Sequence, residues 1–331
     1  MSMTTDVEGL GLERRALLKA AVALLVLRPQ VSAFAELAAP LAQGPLPDAP
    51  SNFRAIYGDP ALRAQFFPFL QNVFHLYPED AIHRLIADLT TKGKTDEDVY
   101  RALLAALPSI KPTLSEVRYG VPALRKQKDE MTRQALAFLG TGARVNGYLE
   151  IGTTGRYVSD LRRHVEIAGP LWIVNDVAPS YGPADILERG EIGKIGTYVP
   201  MGNYDPFAGA AIPDASLDLV VNFIGFHHAP DDRLEGFVQS VRRVLRPGGR
   251  LLLRDHDVDG PAQSSLVALA HDVFNAGLFL AWEENARQVR RFRSLATWTE
   301  YLNASGFRRS ERAIAQDGDP TKNLLVELVR A

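Results

Sequence analysis

The sequence predicts an α/β fold, with a mostly parallel sheet, an antiparallel last strand and a helical cap in front of it. Three observations predict it. From Gly147 onward, short apolar runs alternate with helical segments, the texture of a parallel sheet covered by helices. The last two apolar runs, 307–314 and 323–329, are joined by the turn-rich Gln316-Asp317-Gly318-Asp319-Pro320, and a tight connection of that kind joins antiparallel strands. Before Gly147, from Phe53 to about Leu139, apolar residues recur at helical spacing instead.

The N-terminus reads as an address label. Paired Arg14-Arg15 precede Leu17, Leu18 and Lys19, a short apolar run follows from Ala20 to Leu27, and Arg28, Pro29 and the small-residue triplet Ala33-Phe34-Ala35 close the segment. Residues 1–35 therefore resemble a twin-arginine export signal. Its apolar run falls short of the ~20 residues that span a bilayer, so no membrane insertion of the mature chain is expected. The expected location is exported or periplasmic; an amphipathic first helix of a cytoplasmic protein is the alternative. The proline-rich stretch to Pro50 reads as a linker, 36–52.

The cap is expected over 53–140. Phe66, Phe67, Phe69, Leu70, Val73 and Phe74 form an apolar cluster, and Ile82, Leu85, Ile86 and Leu89 recur at i, i+3, i+4, i+7. Thr95-Asp96-Glu97-Asp98 reads as a helix start, Pro108 and Pro112 as breaks, and 126–139 as a further amphipathic helix. In the domain expected over 141–331, strands are predicted at 148–151, 171–175, 197–199, 217–223, 250–254, 307–314 and 323–329.

Composition bounds the chemistry. The 331 residues hold no cysteine, which excludes disulfides, thiolate metal sites and thiol nucleophiles. A formal net charge of −2 argues neither way about nucleic acid; with no long basic stripe, no nucleic-acid partner is expected. The densest basic cluster, Arg287, Arg290, Arg291 and Arg293, reads as a solvated helix face, with an acidic-substrate or phosphate role as the alternative.

Five blocks carry candidate chemistry. In Leu149-Glu150-Ile151-Gly152-Thr153-Thr154-Gly155-Arg156, a strand runs into an acid and a glycine turn, where the backbone can approach a ligand and a following helix offers N–H groups. Asp176, after the second strand, has the spacing of an acid that binds ribose hydroxyls, and is equally a helix N-cap. Met201-Gly202-Asn203-Tyr204-Asp205 follows the third strand. Pro213-Asp214-Ala215-Ser216-Leu217-Asp218-Leu219-Val220-Val221-Asn222-Phe223 leads to His227-His228, and Val241-Arg242-Arg243-Val244-Leu245-Arg246-Pro247-Gly248-Gly249-Arg250 leads to Asp255-His256-Asp257.

Together these blocks resemble the class I (Rossmann-like) S-adenosylmethionine-dependent methyltransferases, in the small-molecule branch, over about 147–256. The resemblance implies a seven-stranded Rossmann-like sheet, S-adenosyl-L-methionine as cofactor and a small-molecule substrate. It implies cofactor contacts from Glu150, Gly152, Thr153, Gly155, Asp176, Asn203, Tyr204 and Phe223. Thr154 and Arg156 stand where the family's later motif glycines fall, so the loop is altered.

Candidate proton acceptors are His228 and His256, with Asp255 beside them. His227, His228, Asp255 and His256 are of metal-ligand type, but without helix-spaced ligands no metal site is assigned. A non-catalytic cofactor-binding or accessory protein is the rival reading. A nicotinamide oxidoreductase is disfavoured by the closing hairpin and the incomplete G-x-G-x-x-G.

Overall fold

The computed structural model describes residues 51–112 and 116–331. The signal-like segment and the linker up to residue 50 lie outside the described residues. Ser51 and Asn52, read as the linker's end, already cap and begin helix α1 (Asn52–Tyr57). Among the described residues no helix is long and apolar enough to cross a membrane.

Helices α2 (Pro60–Phe69), α3 (Glu79–Lys92), α4 (Asp96–Ile110) and α5 (Val121–Leu139) complete the N-terminal region. Thr95 and Asp98 form a reciprocal capping box that starts α4, satisfying two otherwise orphaned donors. The expected break at Pro108 does not occur, because α4 runs through it to Ile110.

The sheet contains β1 (Arg144–Ile151), β2 (Glu166–Asn175), β3 (Thr197–Pro200), β4 (Leu217–Asn222), β5 (Leu245–His256), β6 (Phe307–Ala315) and β7 (Asn323–Arg330). Its order is β3-β2-β1-β4-β5-β7-β6. Pairs among β1 to β5 are parallel, and β7 runs antiparallel to both β5 and β6. This is the expected Rossmann-like sheet, its direction of winding reversing between β1 and β4.

The remaining helices are α6 (Val158–Leu161), α7 (Pro183–Arg189), α8 (Asp231–Val244), α9 (Pro261–Gly277), α10 (Trp282–Arg287) and α11 (Leu295–Ala304). One core layer joins the sheet to α8 and α11 through Phe226, Phe237, Val241, Leu253 and Trp298. Helix α8 ends at Val244, and the Arg246-Pro247-Gly248-Gly249 stretch bulges within β5: Leu217 pairs with Leu245 but Leu219 with Arg250.

Helix α9 ties the cap to the sheet domain. Leu266, Leu269, Ala270, Val273 and Ala276 share one apolar core with Phe53, Phe66, Phe74, Val99 and Leu103. Tyr100 Oη donates to Leu280 O at 2.9 Å and Tyr77 Oη to Gly277 O at 3.2 Å, satisfying both hydroxyls inside this joint. Leu269 is fully buried there. Leu269→Ala is expected to lower stability by about 2–5 kcal/mol in urea unfolding, with the cap and sheet losing it together in one transition.

Candidate functional site

The C-terminal ends of β1, β2, β4 and β5 lie along one edge of the sheet, and the β1/β4 reversal is where such sheets form a ligand crevice. Two clusters of polar side chains meet there.

The first is the glycine turn. Glu150 is 1 % exposed. Its carboxylate accepts from Tyr148 Oη at 2.9 Å, Tyr157 N at 3.1 Å and Val158 N at 3.0 Å, and also from Thr153 Oγ1. Burial pushes its carboxyl up, against the pull of these hydrogen bonds. Thr153 Oγ1 in turn accepts from Gly155 N and Arg156 N. The open N–H groups expected at the following helix are therefore already taken: α6 is only four residues long and its first amide is closed by Glu150.

Gly152 has φ +82°, and a Cβ there would lie 2.1 Å from Cδ1 of Ile224. Ile224, leaving β4, thus lies over the turn. Phe223 instead packs edge-on against Tyr157 at 5.0 Å. Arg156 pairs with Glu188 at 2.8 Å. Thr154 Oγ1 is buried and has no hydrogen-bond partner among the described residues.

Asp176 follows β2 and is partly exposed. One carboxylate oxygen takes a long bond from Asn203 N at 3.5 Å, and burial raises its pKa. Asn203 and Tyr204 both have positive φ, 55° and 65°. That left-handed turn exposes Asn203 and sends the Tyr204 ring inward against Phe237. The Tyr204 hydroxyl is buried without a partner among the described residues; burial first, and then the Asp176 and Asp255 carboxylates, push its pKa up.

The second cluster is built on Asp255, at the end of β5. Its Oδ2 accepts from Phe226 N at 2.7 Å and His227 N at 3.3 Å; its Oδ1 accepts from His256 N at 2.8 Å and His227 Nδ1 at 2.7 Å. Gly225, at φ +88°, permits this approach, since a Cβ would lie 2.5 Å from His227 Nδ1 and 2.9 Å from Asp255 Oδ2. Asn222 shapes the same turn, its Oδ1 accepting from Ile224 N and Gly225 N, both at 3.1 Å.

Four of the chain's seven histidines collect around that carboxylate: His227, His228, His256 and His271. Burial holds all four as neutral rings, lowering His227 to about 3 and His256 to about 4 and pushing His228 and His271 well below the usual value. Phe292 packs on His227, His256 and His271.

His271, on α9, escapes sequence reasoning, because a lone histidine in an apolar helix carries no motif. Thr154 and Asn222 have no motif of their own either. The arginine cluster is neither a solvated helix face nor a free anion site. Arg290 pairs with Asp272 at 2.7 Å, and Arg291 and Arg293 hold Asp231 at 2.9 and 2.8 Å; Arg287 alone lies in a helix.

The family described as "Methyltransferase domain" matches residues 205–253, from the end of the Asn203 turn to the middle of β5. No curated protein matches the chain. Among solved structures, the chain is similar to Burkholderia thailandensis 1,6-didemethyltoxoflavin-N1-methyltransferase with bound 1,6-didemethyltoxoflavin and S-adenosylhomocysteine. That likeness has 15 % identity, TM-score 0.41, and covers 72 % of this chain and 92 % of that one. It is similar also to the mitomycin 7-O-methyltransferase MmcR, with 18 % identity, TM-score 0.43, and 84 % and 74 % covered. A DhpI complex with S-adenosylhomocysteine has 18 % identity, TM-score 0.41, and 70 % and 94 % covered.

The hydrogen bonds of Glu150 make the glycine turn a structural unit. Glu150→Ala strands two backbone donors and two hydroxyls and is expected to cost about 3 kcal/mol or more in chemical denaturation. Glu150→Gln, which keeps one acceptor oxygen, is expected to cost less. Equal and negligible losses in the two variants would contradict this role.

Proposed function

We propose that the chain transfers a methyl group from S-adenosylmethionine to a small-molecule acceptor. The observation that carries the reading is that partly exposed Asp176 and two buried, unpartnered hydroxyls, on Thr154 and Tyr204, lie in the loops that follow β2, β1 and β3. A buried hydroxyl without a partner costs about 1–3 kcal/mol, and a polar ligand seated in the crevice relieves it. The match of residues 205–253 to a methyltransferase domain supports the same chemistry.

The residues present fit the nucleoside end of the cofactor. Asp176 would accept from the ribose hydroxyls, and the side-chain oxygen of the exposed Asn203 would accept from the adenine amine. The methionine end fits once Ile224 turns away from Gly152. The two nearest obstructing atoms, Cδ1 and Cγ1, belong to one branch of the Ile224 side chain, and a rotamer change would lift that branch. Thr154 then offers its hydroxyl to that end, in the position where sequence comparison found a departure.

When bound, the cofactor supplies an electrophilic methyl group on a sulfonium. The chain supplies proximity and alignment for the displacement. A base is needed only when the acceptor must lose a proton. His228 and His256 are the candidates. His256 donates Nδ1–H to Thr321 O at 2.9 Å, which leaves the Nε2 lone pair of its neutral ring to take a proton. Asp255 acts by position, fixing the turn that carries His227 and His228.

A second reading is favoured by one observation. Ile224 covers Gly152, with the Gly155, Arg156, Tyr157 and Val158 amides internally bonded, which suits a fold that binds the cofactor weakly without transferring a methyl group.

Calorimetric titration with S-adenosylhomocysteine separates the readings. Asp176→Ala is expected to weaken binding at least about tenfold, or 1.4 kcal/mol, and Ile224→Ala to tighten it. Binding unchanged in both variants would overturn the site. Weak binding in the unaltered chain, with no methyl transferred to any pooled small molecule, would favour the second reading.

A further inference from the structure

The histidine cluster has a property that proton transfer alone does not use. His228 Nδ1 lies 3.0 Å from Val289 O, His271 Nδ1 2.9 Å from Val267 O, and His256 Nδ1 2.9 Å from Thr321 O. A carbonyl only accepts, so in each ring the proton sits on Nδ1. His227 has the same arrangement with the Asp255 carboxylate at 2.7 Å. In a neutral imidazole the other nitrogen, Nε2, is then the unprotonated one and carries the ring's lone pair.

His227 Nε2 and His271 Nε2 nevertheless face each other at 3.2 Å. Two lone pairs at that distance repel unless a positive charge lies between them. Two nitrogens bound to one ion at ~2.1 Å stand roughly 3.0–3.4 Å apart. One ring nitrogen each from His227, His228 and His271 lies within 4.8 Å of the others, so the third ligand needs to close by about an ångström. Nδ1 held by a carboxylate or a backbone carbonyl, with Nε2 presented, is the outer-sphere arrangement that orients metal-binding histidines. The three rings also come from two separate elements, the turn after β4 and helix α9. His228 and His271 are partly exposed, which gives an ion a way in.

We propose that His227, His228 and His271 form a three-imidazole site for a divalent transition-metal ion of the zinc class. Three neutral nitrogen donors suit zinc, iron, copper or nickel better than magnesium or calcium, which prefer oxygen. Three protein ligands leave a coordination position open, as in sites that hold a substrate oxygen or water. Arg290 is taken by Asp272 and Asn285, with Nη atoms at 2.7 and 2.6 Å from their oxygens, and so does not occupy the ligand position. His256, outside the triad, remains the proton acceptor. The ion's place beside the methyl acceptor rests on the methyl-transfer reading; its binding does not.

The test uses the purified full chain, stripped of metal and titrated with Zn²⁺ by calorimetry and with Co²⁺ by visible absorption. One ion per chain is expected, with a d–d spectrum of nitrogen coordination. His271→Gln and His228→Gln should each weaken Zn²⁺ binding at least about tenfold, while His164→Gln, outside the cluster, should leave it unchanged. Circular dichroism of the metal-free variants checks that they fold, and S-adenosylhomocysteine binding by His271→Gln should match that of the unaltered chain. No stoichiometric binding of either metal, or binding indifferent to both cluster variants, overturns the site. Metal binding in a protein that ignores S-adenosylhomocysteine would keep the metal site and sink the methyl-transfer reading.

Discussion

The Asp255 carboxylate is the constraint on which the sheet edge depends. It is buried, and it accepts four hydrogen bonds from the turn after β4 and from the backbone of His256. A buried carboxylate is tolerated only when its lone pairs are used, and here they are used to fix His227 in both position and tautomer. Through that turn the same carboxylate also sets where Ile224 and His228 stand. Gly225 is part of the arrangement, since any Cβ there would push the carboxylate and the imidazole apart.

The edge so fixed has two halves with different chemistry. On the β1 and β2 side, Glu150 is consumed internally, and Asp176 stays partly exposed with one long hydrogen bond from Asn203 N. On the β5 and α9 side, four neutral imidazoles present nitrogen lone pairs. The Tyr204 hydroxyl, buried and unpartnered, is acted on by the acids of both halves, Asp176 and Asp255. Helix α9 does double duty, carrying His271 on one face and the apolar joint to the cap on another.

The strand pattern was legible because each strand is a short apolar run bounded by turn residues, and the antiparallel β7 followed from the Gly318 turn. That Asp176 directly follows β2 was legible from the apolar run before it. Three things were not. The short α6 was hidden because nothing in Val158-Ser159-Asp160-Leu161 announces that Glu150 will close its first amides. Ile224 was legible only as an apolar residue after β4; that its side chain covers Gly152 depends on the Asn222 turn. His271 became part of the site only through the packing of α9, a contact between residues distant in sequence that no local pattern encodes.

In the proposed function one crevice holds the nucleoside on Asp176 and opens at Ile224 toward the histidines. A crystal structure of the full chain with S-adenosylhomocysteine is the decisive measurement. Expected are ribose hydroxyls on the Asp176 carboxylate, the Ile224 side chain turned off Gly152, and the thioether sulfur facing the histidine cluster. A nucleoside bound elsewhere, with Ile224 still seated over Gly152, would contradict this reading.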